Sequence, residues 1–455
     1  MTANLSLPER RAVAALASIY FLRMLGLFLV LPVLAVHSQA YADATPMLIG
    51  IAVGIYGLTQ ALLQIPFGLA SDRLGRRPVI VFGLVLFALG SVIAAQADSV
   101  IGIIIGRAVQ GSGAIAAAVL ALNADLTREE SRTRAMAVIG MSIGLAFFVS
   151  LLLGPLLSGV LGLSGLFWVT ALLAGLGLLI VLLALPATTA VRLHRDAMPV
   201  WGELHGVIRH GELLRLDFGI LALHAILTAL FVAVPLALQA LRLPVASHWQ
   251  VYAAVLLLSI AGAVPMLLVA ERHRRMKPVF VAAVALLALA LHGLIYAHHT
   301  VVWIGVWLTV FFIAFNVLEA SLPSLVSKVA PAQSKGSAMG VYATSQFLGA
   351  FLGGLLGGLA LAHYGLAGVF GVTAVIAVLW LAVAVGMRSP RYLTSRVLRL
   401  PMMDEAEARA LGLRLSQVGG VVEAVVFGDQ GVAYLKVDKG ALDEAQLAAI
   451  AAPSA

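Results

Sequence analysis

The stretch Gly68-Leu-Ala-Ser-Asp72-Arg73-Leu-Gly75-Arg76-Arg77 decides the architecture. Three arginines and an aspartate separate two apolar runs, 47–68 and 79–97. Each run is about the 20 residues that a helix needs to cross roughly 30 Å of hydrocarbon. Outward from this point the pattern repeats. Further runs lie at 12–36, 99–123, 135–161, 163–185, 216–241, 249–270, 278–297, 301–325, 336–361 and 365–387, twelve spans in all. The first carries Arg23 in mid-span and lacks a small-residue cleavage site, so it reads as a span rather than a signal sequence. Of the 455 residues, 62% are hydrophobic and 11% charged, a composition solvated by lipid. The chain has no cysteine, which removes disulfides, thiol catalysis and thiolate metal sites.

Charge sets the orientation. With the N-terminus inside, 26 of the 29 Lys and Arg fall on the inner side. One, Arg242, is outside, and two, Arg23 and Arg107, lie within spans. Both termini are therefore expected in the cytoplasm of a multi-pass inner-membrane protein. The net charge of +8 reads as topology, with anionic lipid headgroups as neighbours, and not as a nucleic-acid surface.

The two halves echo each other. TRAMAVIG at 133–140 and GSAMGVYA at 336–343 each open a Gly-rich span after a basic segment. AERHRRMK at 270–277 stands where SDRLGRR stands at 71–77. Duplicated six-helix halves place a binding site between them. The expected units are an N-terminal bundle over 1–187, a linker over 188–215 with an amphipathic stretch near 200–213, a C-terminal bundle over 216–388 and a tail over 389–455. In the tail, 392–400 alternates like a strand and 404–418 reads as a helix capped by Asp404. A hairpin is expected over 421–427 and 432–438, and a last helix over 441–451. This βαββα order is that of a truncated ferredoxin-like domain.

The 68–77 motif resembles the signature of the major facilitator superfamily, G-x-L-a-D-r-x-G-r-r, with Ala70 where Leu is usual. Arg107, Gln110, Gly111 and Gly113 resemble the family's span-four pattern. Gly154, Pro155 and Gly159 resemble its span-five pattern only weakly, because Ser150 and Ser158 stand where Gly is expected. Together with segments of spans one, two, ten and eleven, these residues resemble drug:proton antiporters of that superfamily that carry a ferredoxin-like tail. The resemblance implies a twelve-helix all-α fold of two six-helix bundles with a small α+β cytoplasmic domain. It also implies proton-coupled export of a hydrophobic or cationic small molecule by alternating access, from a monomer. A nutrient uniporter or symporter and a tail-regulated sensor remain the alternatives.

The residues also suggest roles. Gly68, Asp72, Arg73, Gly75, Arg76 and Arg77, with Asp125 within reach of Arg76 or Arg77, form a candidate conformational latch. Asp72 is expected against the positive end of a neighbouring helix. Glu319 reads as the one carboxylate clearly inside a span, and an embedded carboxyl is what proton coupling needs. His224 is the second candidate titrator, and Arg23 is the further candidate for proton coupling. Tyr56, Gln60 and Gln64, spaced by four, share a helix face, as do Tyr342 with Gln346 and Asn316 with Glu319. These are the candidate cavity residues. Phe28, Phe147, Phe231, Trp303 and Phe315 could form an aromatic wall. The sequence has no nucleotide-binding Gly-Lys-Ser/Thr motif and no metal-ligand spacing. No enzyme activity and no cofactor are expected.

Overall fold

A computed structural model describes residues 5–185, 201–331, 334–388, 394–429, 431–438 and 440–451. The linker expected over 188–215 lies outside these residues as far as 200, and so do residues 389–393 of the tail.

Span one is α1 (Leu7–Leu29) continued by α2 (Leu31–His37). It breaks at Val30, two residues before Pro32, whose ring removes a backbone donor. Span two is α3 (Pro46–Leu74) and span three is α4 (Arg76–Ala95). Span four is split into α5 (Val100–Ser112) and α6 (Ala116–Leu126) around Gly113. Among the described residues, ten helices are long and apolar enough to cross a membrane. Two of these, α7 (Glu129–Ala184) and α13 (Lys335–Val385), each hold two spans. The chain reverses at Gly162 (φ 65°) in α7 and at Gly365 (φ 66°) in α13. Only glycine enters this region without steric cost. The hydrogen bonds confirm the reversal. Ser131, before the turn, donates to Glu9 at the inner end, and Leu182, after it, accepts from Arg77 at the same face. Twelve crossings result, as the apolar runs foretold. The remaining elements are α8 (Trp201–Ile208), α9 (Gly211–Ala240), α10 (His248–Arg272), α11 (Met276–Ala297) and α12 (Val301–Val329).

The opening motif forms no loop: α3 runs on through Leu74 and α4 starts at Arg76, leaving Gly75 (φ 94°) as the whole turn. Apolar length marks where lipid ends, whereas the helix continues as long as its backbone bonds can be made.

The bundles meet along α3 and α13. A Cβ on Gly50 would lie 2.7 Å from Gly358 Cα, and one on Gly54 2.8 Å from the Phe351 carbonyl oxygen. Small residues allow this approach, which bilayer helices use in place of a hydrophobic driving force. Ala35, Val36, Ile49 and Leu236 close the same outer end from both bundles. The structure is thus sealed at its outer face.

An outer-side cap supports the N-terminal bundle. Asp43 accepts from Val100 N at 2.9 Å and Ile101 N at 3.2 Å, at the start of α5. These N–H groups hold its carboxyl below the usual carboxylate range. The stabilisation is present at neutral pH and is lost as pH falls through that lowered range. Asp43→Asn should therefore lower the melting temperature at neutral pH, and the two proteins should converge only at pH below about 4.

In the tail, β1 (Thr394–Arg399), α14 (Glu405–Ser416), β2 (Val421–Phe427), β3 (Val432–Val437) and α15 (Glu444–Ala451) follow the expected order. The antiparallel sheet runs β1-β3-β2. Asp404 caps α14, accepting from Glu407 N at 2.8 Å. Lys436, buried on β3, is paired with Glu423 at 3.4 Å and donates to the carbonyls of Lys328 and Ala330 at the inner end of α12. A cation is favoured at a helix C-terminus, so this contact docks the tail on span ten.

Candidate functional site

Among the described residues, three polar clusters stand out within the two bundles. The first is at the inner end of the N-terminal bundle. Arg76 is buried and reaches Asp125 at 3.3 Å, Ser71 at 2.8 Å and Asp72. Asp72 therefore binds the Arg76 guanidinium, where a helix N-terminus was expected. Ser71 joins the cluster unforeseen, its hydroxyl donating to the Gly68 carbonyl at 2.7 Å. Arg77 caps the end of α7 by donating to Leu182 O at 2.6 Å, and Arg73 is exposed. Removing a buried guanidinium takes the counter-charge from both carboxylates it binds, which is costly. Arg76→Ala should destabilise the protein by about 3–5 kcal/mol, and Arg76→Lys should not restore it, lacking the planar fork. Thermal unfolding in detergent checks both. Close by, Glu9 accepts from Arg128 N and Ser131 Oγ, both at 2.8 Å, and ties span one to span five.

The second cluster fills the core of the N-terminal bundle. Arg23 donates to Tyr56 Oη (2.8 Å), Gln60 Oε1 (3.1 Å) and Gly113 O (2.8 Å). The break in span four frees that carbonyl, and the break thereby solvates the charge. Gln60 continues to Gln64 at 3.0 Å. Arg107 bonds Ala52 O, Val53 O and Gln110, and Gln110 donates to Ser91 at 2.8 Å. Gly111 and Gly113 let spans two and three approach closely, through Tyr56 and Gly83 respectively. Gly154 packs on Pro32 and Gly159 on Ala246; Pro155 lies inside α7. Two expectations need correction. Arg23 does not meet Glu319 or His224, because it is spent inside the other bundle. Tyr56, Gln60 and Gln64 are buried around Arg23 and do not line an open cavity.

The third cluster lies in the C-terminal bundle, where α9, α12 and α13 meet. The Gln346 amide is 2.9 Å from His224 Nε2 and 3.3 Å from Glu319 Oε1. His224 Nε2 lies 3.9 Å from Glu319 Oε2. One amide thus bridges two titratable groups. Tyr342, one turn below Gln346, has a buried hydroxyl without a partner. Asn316 is turned to α10, donating to Ser259 at 3.1 Å. Close packing of α9 on α13, with Gly349 against Leu221 and Gly353 against Ala225, sets the register.

Aromatic rings connect this cluster to the N-terminal bundle. Phe28 and Phe147 stand 5.2 Å apart, Phe147 and Phe231 6.3 Å, and Phe147 and Phe312 6.2 Å. Phe312 meets Phe315 at 5.8 Å, and Phe315 meets His224 at 6.1 Å. Trp303 is half exposed and outside this chain of rings. An apolar pocket lies beside it, lined by Leu151, Leu230, Phe231, Tyr252 and Leu308 among others.

Sequence reasoning also missed Asp217. It lies in the second turn of α9, buried, and its Oδ2 has no partner among the described residues. Glu319 is therefore not the sole embedded carboxylate. Among the described residues no group of His and acidic side chains could hold a metal ion.

The comparisons agree with this architecture. The family description Major Facilitator Superfamily matches residues 16–354 and 216–401. The chain is 48% identical to the inner membrane transport protein YajR of Escherichia coli, over 94% of each chain. It is 26% identical to the multidrug resistance protein MdtH of Aeromonas hydrophila, over 70% of this chain and 79% of that one. Among solved structures, the nucleoside transporter NupG superposes with a TM-score of 0.67 at 15% identity, covering 83% of this chain and 99% of that one. A bacterial homologue of the lysosomal transporter Spinster, in an inward-facing and occupied conformation, also scores 0.67, at 16% identity over 84% and 97%. Fold, motifs and relatives converge: the chain is a multi-pass inner-membrane transporter, not an enzyme, and belongs to the major facilitator superfamily.

Proposed function

We propose that this transporter exports a hydrophobic or cationic small molecule in exchange for protons. The observation that carries the reading is the bridge Glu319–Gln346–His224 beside the aromatic rings. A carboxyl that shares an amide with an imidazole can take up a proton and release the amide, so protonation changes which helices are tied together. Aromatic faces attract cations and accept apolar surface. The likeness to a multidrug resistance protein supports the same substrate class. A proton falling through about 100 mV releases about 2.3 kcal/mol, enough for roughly a fifty-fold substrate gradient. The Arg76–Asp72–Asp125 cluster joins α3, α4 and α6 at the inner end of one bundle, and in this reading the latch acts by holding that end rigid as the bundles rock.

Everted vesicles test the direction of coupling. With the lumen acidified, adding the lipophilic cation ethidium should alkalinise the lumen as protons leave against it. Acidification would mean symport, and probe movement without any pH change would mean uniport; either refutes the proposal.

A further inference from the structure

Asp217 is a buried carboxylate that the scheme above does not use. Along α9, Asp217 and His224 are seven residues apart, on one face and separated by about 10 Å of rise. Tyr342, on α13, lies in the electrostatic field of both Asp217 and Glu319. Asp217 Oδ2, the Tyr342 hydroxyl and Glu319 Oε2 are all buried without a hydrogen-bond partner among the described residues. Buried polar atoms are nearly always bonded, so three neighbouring orphans mark a place where bonding changes with state. Counted from the inner helix ends, Asp217 and Tyr342 lie about 10 Å deep and Glu319 about 15 Å. Among the titratable groups of other helices, Tyr342 on α13 feels the charge of Asp217 and that of Glu319 on α12. Arg215, on its own helix, is turned to Glu212 at 2.8 Å and to Gly386 O. No cation lies within ion-pair distance of Asp217 among the described residues.

We propose that Asp217 is a proton relay between the cytoplasm and Glu319, working through the Tyr342 hydroxyl. In one transfer the Glu319 carboxyl gives its proton to the Tyr342 oxygen while the Tyr342 hydroxyl gives its own to Asp217, directly or over a water. One proton moves, tyrosine is regenerated, and Asp217 is left protonated to discharge to the cytoplasm; a pH drop drives the same steps in reverse. This rests on the coupling role given to Glu319.

The test needs no substrate. Full-length protein in detergent is subjected to a rapid pH drop, and the protonated-carboxyl C=O stretch is followed by time-resolved infrared spectroscopy. Glu319→Gln identifies the Glu319 band by removing it. In Asp217→Asn and in Tyr342→Phe that band should form roughly ten-fold more slowly or worse, at an unchanged final amplitude. Asp217→Glu should recover the rate. Tyr342→Phe removes a single hydroxyl, so it keeps the test valid if Asp217→Asn folds poorly. A Glu319 band that rises at the wild-type rate in both variants overturns the relay while leaving Glu319 as the coupling group. A Glu319 band that never titrates overturns the coupling assignment and the relay together.

Discussion

Glu319→Gln should abolish proton-coupled export, lowering it by about two orders of magnitude, while leaving the folded protein intact. Glutamine keeps the shape and can still bond the Gln346 amide through its carbonyl oxygen, so the α12–α13 contact survives. What it loses is the ability to exchange a proton. The Gln346 amide would remain tied to position 319 in every step, and His224 would be the only titratable group left in the bridge. The melting temperature should change little, because the replaced group is partly exposed at 38% of its side-chain surface and carries no buried ion pair. The measurement is export of ethidium from energised cells, together with lumen pH in everted vesicles. Wild-type coupling in this variant would move the proton site elsewhere. His224→Gln should have a smaller effect, since the carboxyl would keep its amide partner.

Gly54→Leu should stop the cycle at a different point. The outer seal requires α3 and α13 to touch backbone to backbone, and a Cβ at position 54 already falls 2.8 Å from Phe351 O and 3.1 Å from Phe351 Cα. Neither atom can step aside without moving a helix. Overpacking of this kind costs about 1–3 kcal/mol, and here the penalty falls only on the state whose outer end is closed. The equilibrium would shift toward the outer-open state by roughly five- to hundredfold. Transport should fall in proportion, with normal membrane expression, because each bundle keeps its own core. A cysteine placed at Leu236 reports the outcome. It should react slowly with a membrane-impermeant thiol reagent in the parent and rapidly with Gly54→Leu, with no native cysteine to compete. Equal labelling in both would show that the α3–α13 contact does not gate the outer side.

The sequence carried the crossings and their orientation because both depend on local quantities, apolar length and the side on which arginine falls. It also carried the tail, where alternation and the Asp404 cap are local signals. The capping box Ser6-x-x-Glu9 went unread although its spacing is local, and Glu9's service to Arg128 and Ser131 has no local signal, because it joins residues more than a hundred positions apart. Tyr56 with Gln60 and Tyr342 with Gln346 are identical as patterns. The fold turns the first pair onto Arg23 and the second toward Glu319 and His224. Spacing shows that residues share a face and is silent about what that face meets. Asp217 escaped notice for a related reason. It sits at the second position of an apolar run, where it looks like an end group, yet α9 begins six residues earlier at Gly211 and draws it inside. The break at Gly113 that accommodates Arg23 has no sequence signal beyond a glycine in a Gly-rich span.

Alternating access itself is tested most directly by two distances along the same pair of helices. Spin labels at Met47 and Tyr364 report the outer ends of α3 and α13, and labels at Leu74 and Met339 report their inner ends; all four positions are exposed. Pulsed electron spin resonance should find the outer pair close and the inner pair apart in the state described here. Lowering the pH or adding ethidium should create a second population in which the outer distance lengthens and the inner one shortens together, and Glu319→Gln should suppress that pH response. Two distances that stay fixed under every condition, or that lengthen together, would contradict the account.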